Sequence, residues 1–202
     1  MLITTPLFTT VPAVAFKREE IEDNFHFVFA KAEHSHVSYN VLRRSGIAII
    51  FGLDKNVRQL ILDDFPRARF YASASTLVEF FSEKSMIGTA RKMYVYLHDG
   101  EMTLYCFHQG RMLFVNTYQV HGINDIQYYI LNVWKQMGFD QLQDELSVVS
   151  DNNSMSKDLV DKIRYFIKKV SLMDRSDDFR DTMTQGNQTI PYDLQTLLVC
   201  GF

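Results

Sequence analysis

Three groups of residues in this sequence have side chains suited to chemistry: an acidic turn at Asp99-Gly100, six histidines and two cysteines. Glycine turns let backbone amides approach phosphates, and nearby carboxylates position metal-bound water. Histidine binds metal ions, and cysteine acts as a nucleophile where its surroundings lower the thiol pKa. The residues around each group determine which of these reactions the chain can support.

The histidines do not have the spacing of a metal centre. A strand would place His34 and His36 on one face, but no third ligand follows at a usable spacing. His98, His108 and His121 lie near the ends of predicted strands and would form a shared site only if the fold brought them together. Because histidines beside turns are common, we expect solvated side chains and no metal ion.

The cysteines and the common catalytic motifs do not indicate an enzyme either. Cys106 lies between Tyr105 and Phe107 in a predicted strand, which is typical of a buried and unreactive thiol. Cys106 and Cys200 form no CxxC motif, so a structural zinc or a disulfide framework is not expected. The sequence also lacks a Gly-x-Ser-x-Gly elbow, an HExxH helix and a Walker A loop. We therefore predict no catalytic residue.

The composition is that of a folded chain without a strongly charged partner. Of 202 residues, 47% are apolar and 22% are charged, and the net charge is −3. This balance gives no electrostatic reason to expect nucleic acid or an anionic membrane as a partner. No segment reaches the roughly 18 uninterrupted apolar residues of a membrane span. The amino-terminal run to Phe16 lacks the basic segment of a signal peptide, so we expect a cytoplasmic protein.

The tyrosines and the paired acids each allow a structural and a functional interpretation. Four strand tyrosines are expected in the core, with an outward-facing partner surface as the alternative: Tyr94, Tyr96, Tyr105 and Tyr118. Asp177-Asp178 is a pair of adjacent acids in a predicted loop, which is typical of solvated surface.

The elements that must position these residues are clearest in the second half of the chain. Three strands are predicted at 93–98, 102–108 and 112–118. The turns Asp99-Gly100 and Gln109-Gly110 join them into an antiparallel meander. Apolar residues at helical offsets then predict a helix that is capped by Asn124 or Asp125 and ends at Gly138.

A further strand at 146–149 and a second apolar stripe complete this half. The stripe from Leu159 to Val170 has the same helical offsets and predicts a helix. A loop over 171–189 and a last helix with Pro191 at its first position follow. The order β-β-β-α-β-α is that of the ribonuclease-H-like arrangement, which actin-like proteins carry twice.

The first half contains the pattern of a less complete α/β unit. Strands are predicted at 7–11, 37–42, 46–52 and 68–72, with helices over 17–31, after Asp54 and from Ser75. The polar segment 82–91 is the best boundary between the halves. We therefore predict an incomplete first subdomain, 1–85, and a second subdomain, 86–202.

The run that begins at Tyr94 is specific enough to indicate a family. The sequence YVYLHDGEMTLYCFHQGRMLFVNTYQVHGINDIQYYILNVWKQMGFD resembles an uncharacterised family from Bacteroidota that is known only as a domain of unknown function. The Val11-Pro12 step, the segment FPRARFYAS that ends at Ser73 and the closing IPYDLQTLL agree with it. The resemblance implies an actin-like ATPase fold, distantly similar to pilus-assembly actin-like proteins, and no assigned activity.

The same resemblance implies where a nucleotide would bind. Actin-like ATPases hold phosphates at glycine-rich hairpins, with an acid before the turn and a hydroxyl after it, so the candidates here are Asp99, Gly100 and Thr103. This hairpin has one glycine, apolar Leu97 at the strand position of the acid, and Glu101 where phosphates would lie. Relatives usually carry a further amino-terminal segment, so the resemblance implies either a misplaced start or a truncated first half with an open sheet edge. Such an edge favours a homodimer.

The resulting hypothesis is a non-catalytic actin-like scaffold or protein-interaction module with a degenerate nucleotide site, no cofactor and an unknown protein partner. The alternative is an actin-like ATPase that binds ATP with Mg²⁺ near the Asp99-Gly100 hairpin. A ribonuclease-H-like nuclease needs several acids at strand ends, but these strands end in His98, His108 and Tyr118.

Overall fold

A computed structural model of the chain describes residues 1–150, 153–180, 182 and 190–201. Its elements fall into two units, residues 1–79 with 196–202 and residues 80–195. These units are defined by contacts and not by the two repeated halves of an actin-like fold. The subdomains 1–85 and 86–202 therefore stay a prediction.

The first unit contains two small sheets and the helices beside them. Its elements are β1 (Leu2–Ile3), β2 (Phe8–Pro12), α1 (Ile21–Val28), β3 (Ser35–Leu42), β4 (Ile47–Asp54), α2 (Lys55–Asp64), β5 (Tyr71–Ala72) and the start of α3 (Ser73–Ser85). The antiparallel sheet has the order β2-β4-β3, and β1 pairs with β5 in parallel. The residues before β3 are a turn, so His36 lies on the strand and His34 lies outside it.

Phe25 is the centre of the core of this first unit. It is fully buried on α1 and packs against Val37 and Ile50 from the antiparallel sheet. Gly52 on β4 leaves room for the ring, because a Cβ atom there would lie 2.5 Å from Cζ of Phe25. A methyl group on residue 52 therefore has no space unless the ring moves.

The side chains of Asp54 and Asn40 explain where α2 begins and why β5 is short. The Asp54 carboxylate accepts hydrogen bonds from the backbone N–H groups of Asn56 and Val57 at 2.8 and 3.1 Å, which confirms the predicted cap of α2. The strand predicted over 68–72 is only two residues long, because the Asn40 amide takes the place of a strand partner. Its Oδ1 accepts from the N–H of Ala72 at 2.9 Å, and its Nδ2 donates to the carbonyl of Phe70 at 3.0 Å.

The second unit is built on one five-stranded sheet. Its elements are β6 (Lys92–His98), β7 (Glu101–His108), β8 (Arg111–Gln119), α4 (Ile123–Gln136), β9 (Glu145–Ser150), α5 (Asn153–Ile163), β10 (Lys169–Leu172), α6 (Arg175–Asp178) and the start of α7 (Tyr192–Cys200). The strand order is β10-β9-β6-β7-β8. β6, β7 and β8 form the predicted antiparallel meander, and β9 and β10 add to it in parallel.

Two boundaries in the second unit differ from the sequence prediction. The predicted helix through Val170 is wrong beyond Ile163, where α5 ends, and Val170 lies in β10 opposite Leu146. Val170 is buried in the strand, as it would also be in a helix. The spacing of apolar residues alone therefore does not distinguish a strand from a helix at this position. Gly122 is the cap of α4, while Asp125 accepts a hydrogen bond from the N–H of His121 at 3.0 Å.

The two helices α4 and α5 cover one face of this sheet. Ile126, Ile130 and Trp134 of α4 pack in one buried cluster with Leu159 and Ile163 of α5. The strands contribute the residues on alternate positions, including Met93, Val95 and Leu97 of β6. The side chains on the other positions of β6 must therefore point to the opposite face.

We expect Gly52→Ala to lower the free energy of unfolding by about 1–3 kcal/mol, because the added methyl group meets the ring of Phe25. The shorter side chain in Phe25→Leu should relieve part of this strain, so the double variant should lose less than the sum of the single losses. Urea unfolding monitored by circular dichroism measures all three values. Leu60→Ala, at a 68% exposed helix position, is the control and should stay within about 0.5 kcal/mol. Strictly additive losses would contradict this packing.

Candidate functional site

The candidate site is the hairpin that joins β6 to β7. Asp99 and Gly100 both have positive φ, 45° and 78°, as in the two-residue turns that match the twist of paired strands. His98 and Glu101, on either side of the turn, form the last residue pair of the ladder. The carbonyl of Gly100 accepts a hydrogen bond from the N–H of Val120 at 2.9 Å. The turn is therefore tight, with no additional loop residues to surround a phosphate.

Two carboxylates flank this turn. The Asp99 side chain is 87% exposed and pairs with Nε2 of His98 at 3.0 Å. The Glu101 carboxylate accepts a hydrogen bond from the Gln119 amide at 2.5 Å. Both acidic groups therefore lie at the tip of the hairpin, where a phosphate would experience repulsion.

Two positions of the candidate site, Thr103 and Leu97, make contacts within the second unit. Thr103 is buried, and its Oγ1 lies 2.9 Å from Oγ1 of Thr117 on β8. Leu97, at the position where an active relative would carry an acid, is 4% exposed in the cluster beneath α4 and α5. Asp99 points into solvent at the tip, whereas Thr103 lies within the sheet. The structure places the three predicted residues on one hairpin, but their side chains do not converge on one point.

The histidines near the meander are separated by the strand register. His98 is opposite Glu101 at one end of the β6–β7 pair, whereas Phe107, the neighbour of His108, is opposite Lys92 at the other end. The alternative of one site shared by His98, His108 and His121 is therefore wrong. Across residues 1–150, 153–180, 182 and 190–201, no group of three His, Cys, Asp or Glu side chains could hold a metal ion.

Beneath the hairpin, the second face of the sheet carries a buried aromatic layer that we call the tyrosine layer, formed by Phe81, Tyr94, Tyr96, Tyr105 and Tyr192. Phe81 stacks on Tyr94, with ring centroids 4.3 Å apart and an interplanar angle of 3°. The three strand tyrosines of this layer are 1–3% exposed, so the core interpretation is confirmed for them and the outward-facing alternative is wrong. Tyr118 is half-buried and stacks on Tyr129 at 4.5 Å.

Charged groups lie at the edge of the tyrosine layer. The Tyr192 hydroxyl donates to Asp178 at 2.6 Å, and Lys84 pairs with the same carboxylate at 2.5 Å. The Asp178 side chain is only 7% exposed, so its interpretation as a solvated loop acid was wrong. The sequence gives no signal for this contact, because Lys84 and Asp178 are far apart along the chain.

Burial determines the ionisation of these side chains. It raises the pKa of Tyr94, Tyr96 and Tyr105, and the nearby carboxylate of Asp193 raises the pKa of the last two further. Burial likewise raises the pKa of the Cys106 thiol to about 12. These groups stay protonated near neutral pH, so neither the tyrosines nor Cys106 provides an activated base or nucleophile.

The class of protein follows from the fold. A crystal structure of a Bacteroides thetaiotaomicron protein, described as having an actin-like ATPase fold and unknown function, is similar with a TM-score of 0.85 and 33% sequence identity. The match covers 98% of this chain and 72% of that chain. The PilM–PilN type IV pilus biogenesis complex is similar in fold, with a TM-score of 0.55, 6% identity, and coverage of 96% and 73%. The chain thus has an actin-like α/β fold.

The family follows from the sequence match. The chain belongs to the family described as protein of unknown function DUF3822, whose model matches residues 1–170. This match confirms the resemblance that the segment from Tyr94 indicated. The curated proteins contain no match to this sequence. Within the described parts of the chain, no helix has the length and apolar character that a membrane crossing requires.

We expect the buried tyrosines to ionise only when the protein unfolds. Their folded-state pKa values lie above the ordinary value of about 10, so the stability they confer is present below that pH and is lost as the pH rises further. Ultraviolet absorbance of tyrosinate and circular dichroism, recorded during one alkaline titration, should show an early phase from exposed tyrosines and a late phase that coincides with unfolding. Tyr105→Phe should reduce the late phase, and the exposed control Tyr128→Phe should leave the late phase unchanged. A single phase near pH 10 with the fold intact would contradict the buried layer.

Proposed function

We propose that this chain is a non-catalytic module of the actin-like fold that acts through contacts with another protein chain. The observation that supports this function is the state of the β6–β7 hairpin. Its acidic side chains flank a tight turn, and its hydroxyl is hydrogen-bonded within the sheet. A nucleotide-binding hairpin would need the opposite arrangement, with free donors at the turn.

The hairpin residues do not fit a magnesium nucleotide. Phosphates carry negative charge, and two carboxylates beside a single glycine repel them. Within the described chain, the His98 imidazole lies beside this turn, and its Nε2 is 3.0 Å from the Asp99 carboxylate. Leu97 provides no oxygen for metal-bound water, because its side chain is a hydrocarbon, and it lies in the apolar core. These features support a degenerate site that binds no cofactor.

The alternative is an ATPase that uses Asp99, Gly100 and Thr103 in an unusual geometry. The exposed Asp99 carboxylate favours this alternative, since it is accessible to a hydrated Mg²⁺ ion. Thr103 would have to leave Thr117 to reach the same ligand. The two functions therefore differ in whether the hairpin must rearrange.

Exposed apolar side chains also support a protein partner. Several large apolar side chains are exposed on the second unit, including Tyr128 at 64% and Leu142 at 69%. A neighbour of the same fold is described as a complex of PilM and PilN. Both cysteines are free, which is consistent with a cytoplasmic location and a partner in that compartment.

We expect phosphate release from Mg·ATP to stay at the buffer background with the purified chain. The reason is that no group at the hairpin is placed to orient water or stabilise the transferring phosphoryl group. A continuous phosphate assay on the wild type, Asp99→Asn and the exposed control Asp23→Asn should give three equal rates. Asn tolerates the positive φ at residue 99, so the variant removes the charge and keeps the turn.

A wild-type rate well above background would contradict the proposed function. The loss of that rate in Asp99→Asn, but not in Asp23→Asn, would assign the activity to the hairpin.

A further inference from the structure

Strand β8 forms one edge of the five-stranded sheet and is open along its outer side. Within the described residues it pairs with β7 alone, over nine residues from Arg111 to Gln119. No other backbone hydrogen bond of the described chain reaches these nine residues. The outward N–H and C=O groups of β8 therefore offer a template for another strand.

The edges formed by β10 and β2 carry features that discourage strand addition, and the β3 edge is contacted by the segment 70–72 through the hydrogen bonds of Asn40 to Phe70 and Ala72. β10 is four residues long and begins with Lys169, directly after Lys168. The edge strand β2 of the first unit ends in Pro12, which has no N–H to donate. By contrast, β8 has one charged residue, Arg111 at its end, and contains no proline; its ladder to β7 shifts register once, at Leu113, and is regular from Phe114 to Gln119. Edges of this length without charges or proline are unusual on proteins that stay unpaired.

The side chains beside the β8 edge favour an apolar neighbour. On the face covered by α4, Tyr118 stacks on Tyr129, and Tyr129 meets the ring of Tyr128 at 5.4 Å. Tyr128 is 64% exposed, so the aromatic cluster reaches the surface next to the strand. Leu113, at the register shift, is 37% exposed. An added strand would cover these apolar side chains.

We propose that the β8 edge binds β8 of a second copy of this chain, in antiparallel pairing about a two-fold axis at Val115. In that register Arg111 faces Gln119 of the other copy, and Leu113 faces Thr117. The central pair is Val115 with its own equivalent. No like charges are opposed, and apolar or uncharged side chains meet over residues 112–118. This inference rests on the proposed function, because it names the partner of the interaction module.

The sequence of β8 favours a second copy over an unrelated peptide. A two-fold interface needs a strand that is complementary to itself, and the absence of charge between residues 112 and 119 meets that condition. Because the other edge of the same sheet, β10, is short and basic, the five-stranded sheet of each copy offers one such edge. The pairing therefore closes at two chains and does not continue into a fibre.

Sedimentation equilibrium of the purified chain tests this pairing. At about 100 μM chain, a hundredfold above a micromolar dissociation constant, the wild type should have the mass of a dimer. Val115→Lys and Val115→Glu should each be monomeric, because the two-fold axis places equal charges opposite each other. An equimolar mixture of the two variants should recover the dimer mass. The control Ser171→Lys on β10 should stay dimeric.

Amide hydrogen exchange of the wild type provides a second measurement that needs no variant. Alternate amides within residues 111–119 should exchange more slowly at high than at low protein concentration. A monomeric wild type would overturn the proposal, as would dimers that persist in both Val115 variants or exchange rates independent of concentration. These outcomes are independent of the phosphate assay. A failure to dimerise would reject the dimer and leave the non-catalytic function standing. Phosphate release would reject the non-catalytic function and leave the dimer standing.

Discussion

Strand β6 is paired along both of its edges and buried on both of its faces, and the rest of the second unit depends on this arrangement. Its ladder to β7 sets the register of the meander, and its parallel ladder to β9 fixes the direction of the crossover helices. Side chains alternate between two covered faces, so the helix side receives Val95 and Leu97 while the opposite side receives Tyr94 and Tyr96. A carboxylate at position 97 of this strand would therefore be a buried charge.

The burial of both faces of β6 also determines which side chains the hairpin can present. Leu97 belongs to the core because of the alternation, and the turn that follows has only two residues in which to present ligands. Thr103, on the next strand, is fixed by its contact with Thr117. The hairpin is thus a tight two-residue connection whose Thr103 hydroxyl is bonded within the sheet. The structural neighbour from Bacteroides thetaiotaomicron has the same fold and is also described as a protein of unknown function.

The sequence was sufficient for the parts of the fold that local patterns determine. Two-residue glycine turns and alternating strands predicted the meander, and a long apolar stripe predicted α4, because these signals lie within a few residues of one another. The strand at Val170 was missed since a buried strand position and a buried helix position look alike in a short apolar run. The contact between Lys84 and Asp178 was missed because only the tertiary fold brings those residues together. For the site, sequence predicted the hairpin but not that Thr103 would be held by Thr117.

The thermal unfolding midpoint with and without millimolar Mg·ATP tests the central claim most directly. A ligand at a hundredfold above its dissociation constant stabilises the native state by about 2.7 kcal/mol. For a chain of about 200 residues, each kcal/mol raises the midpoint by roughly 2–4 °C. A hairpin whose side chains repel phosphate predicts the same midpoint in both samples. A rise of several degrees would contradict that claim and show that the hairpin, or another part of the chain, binds the nucleotide.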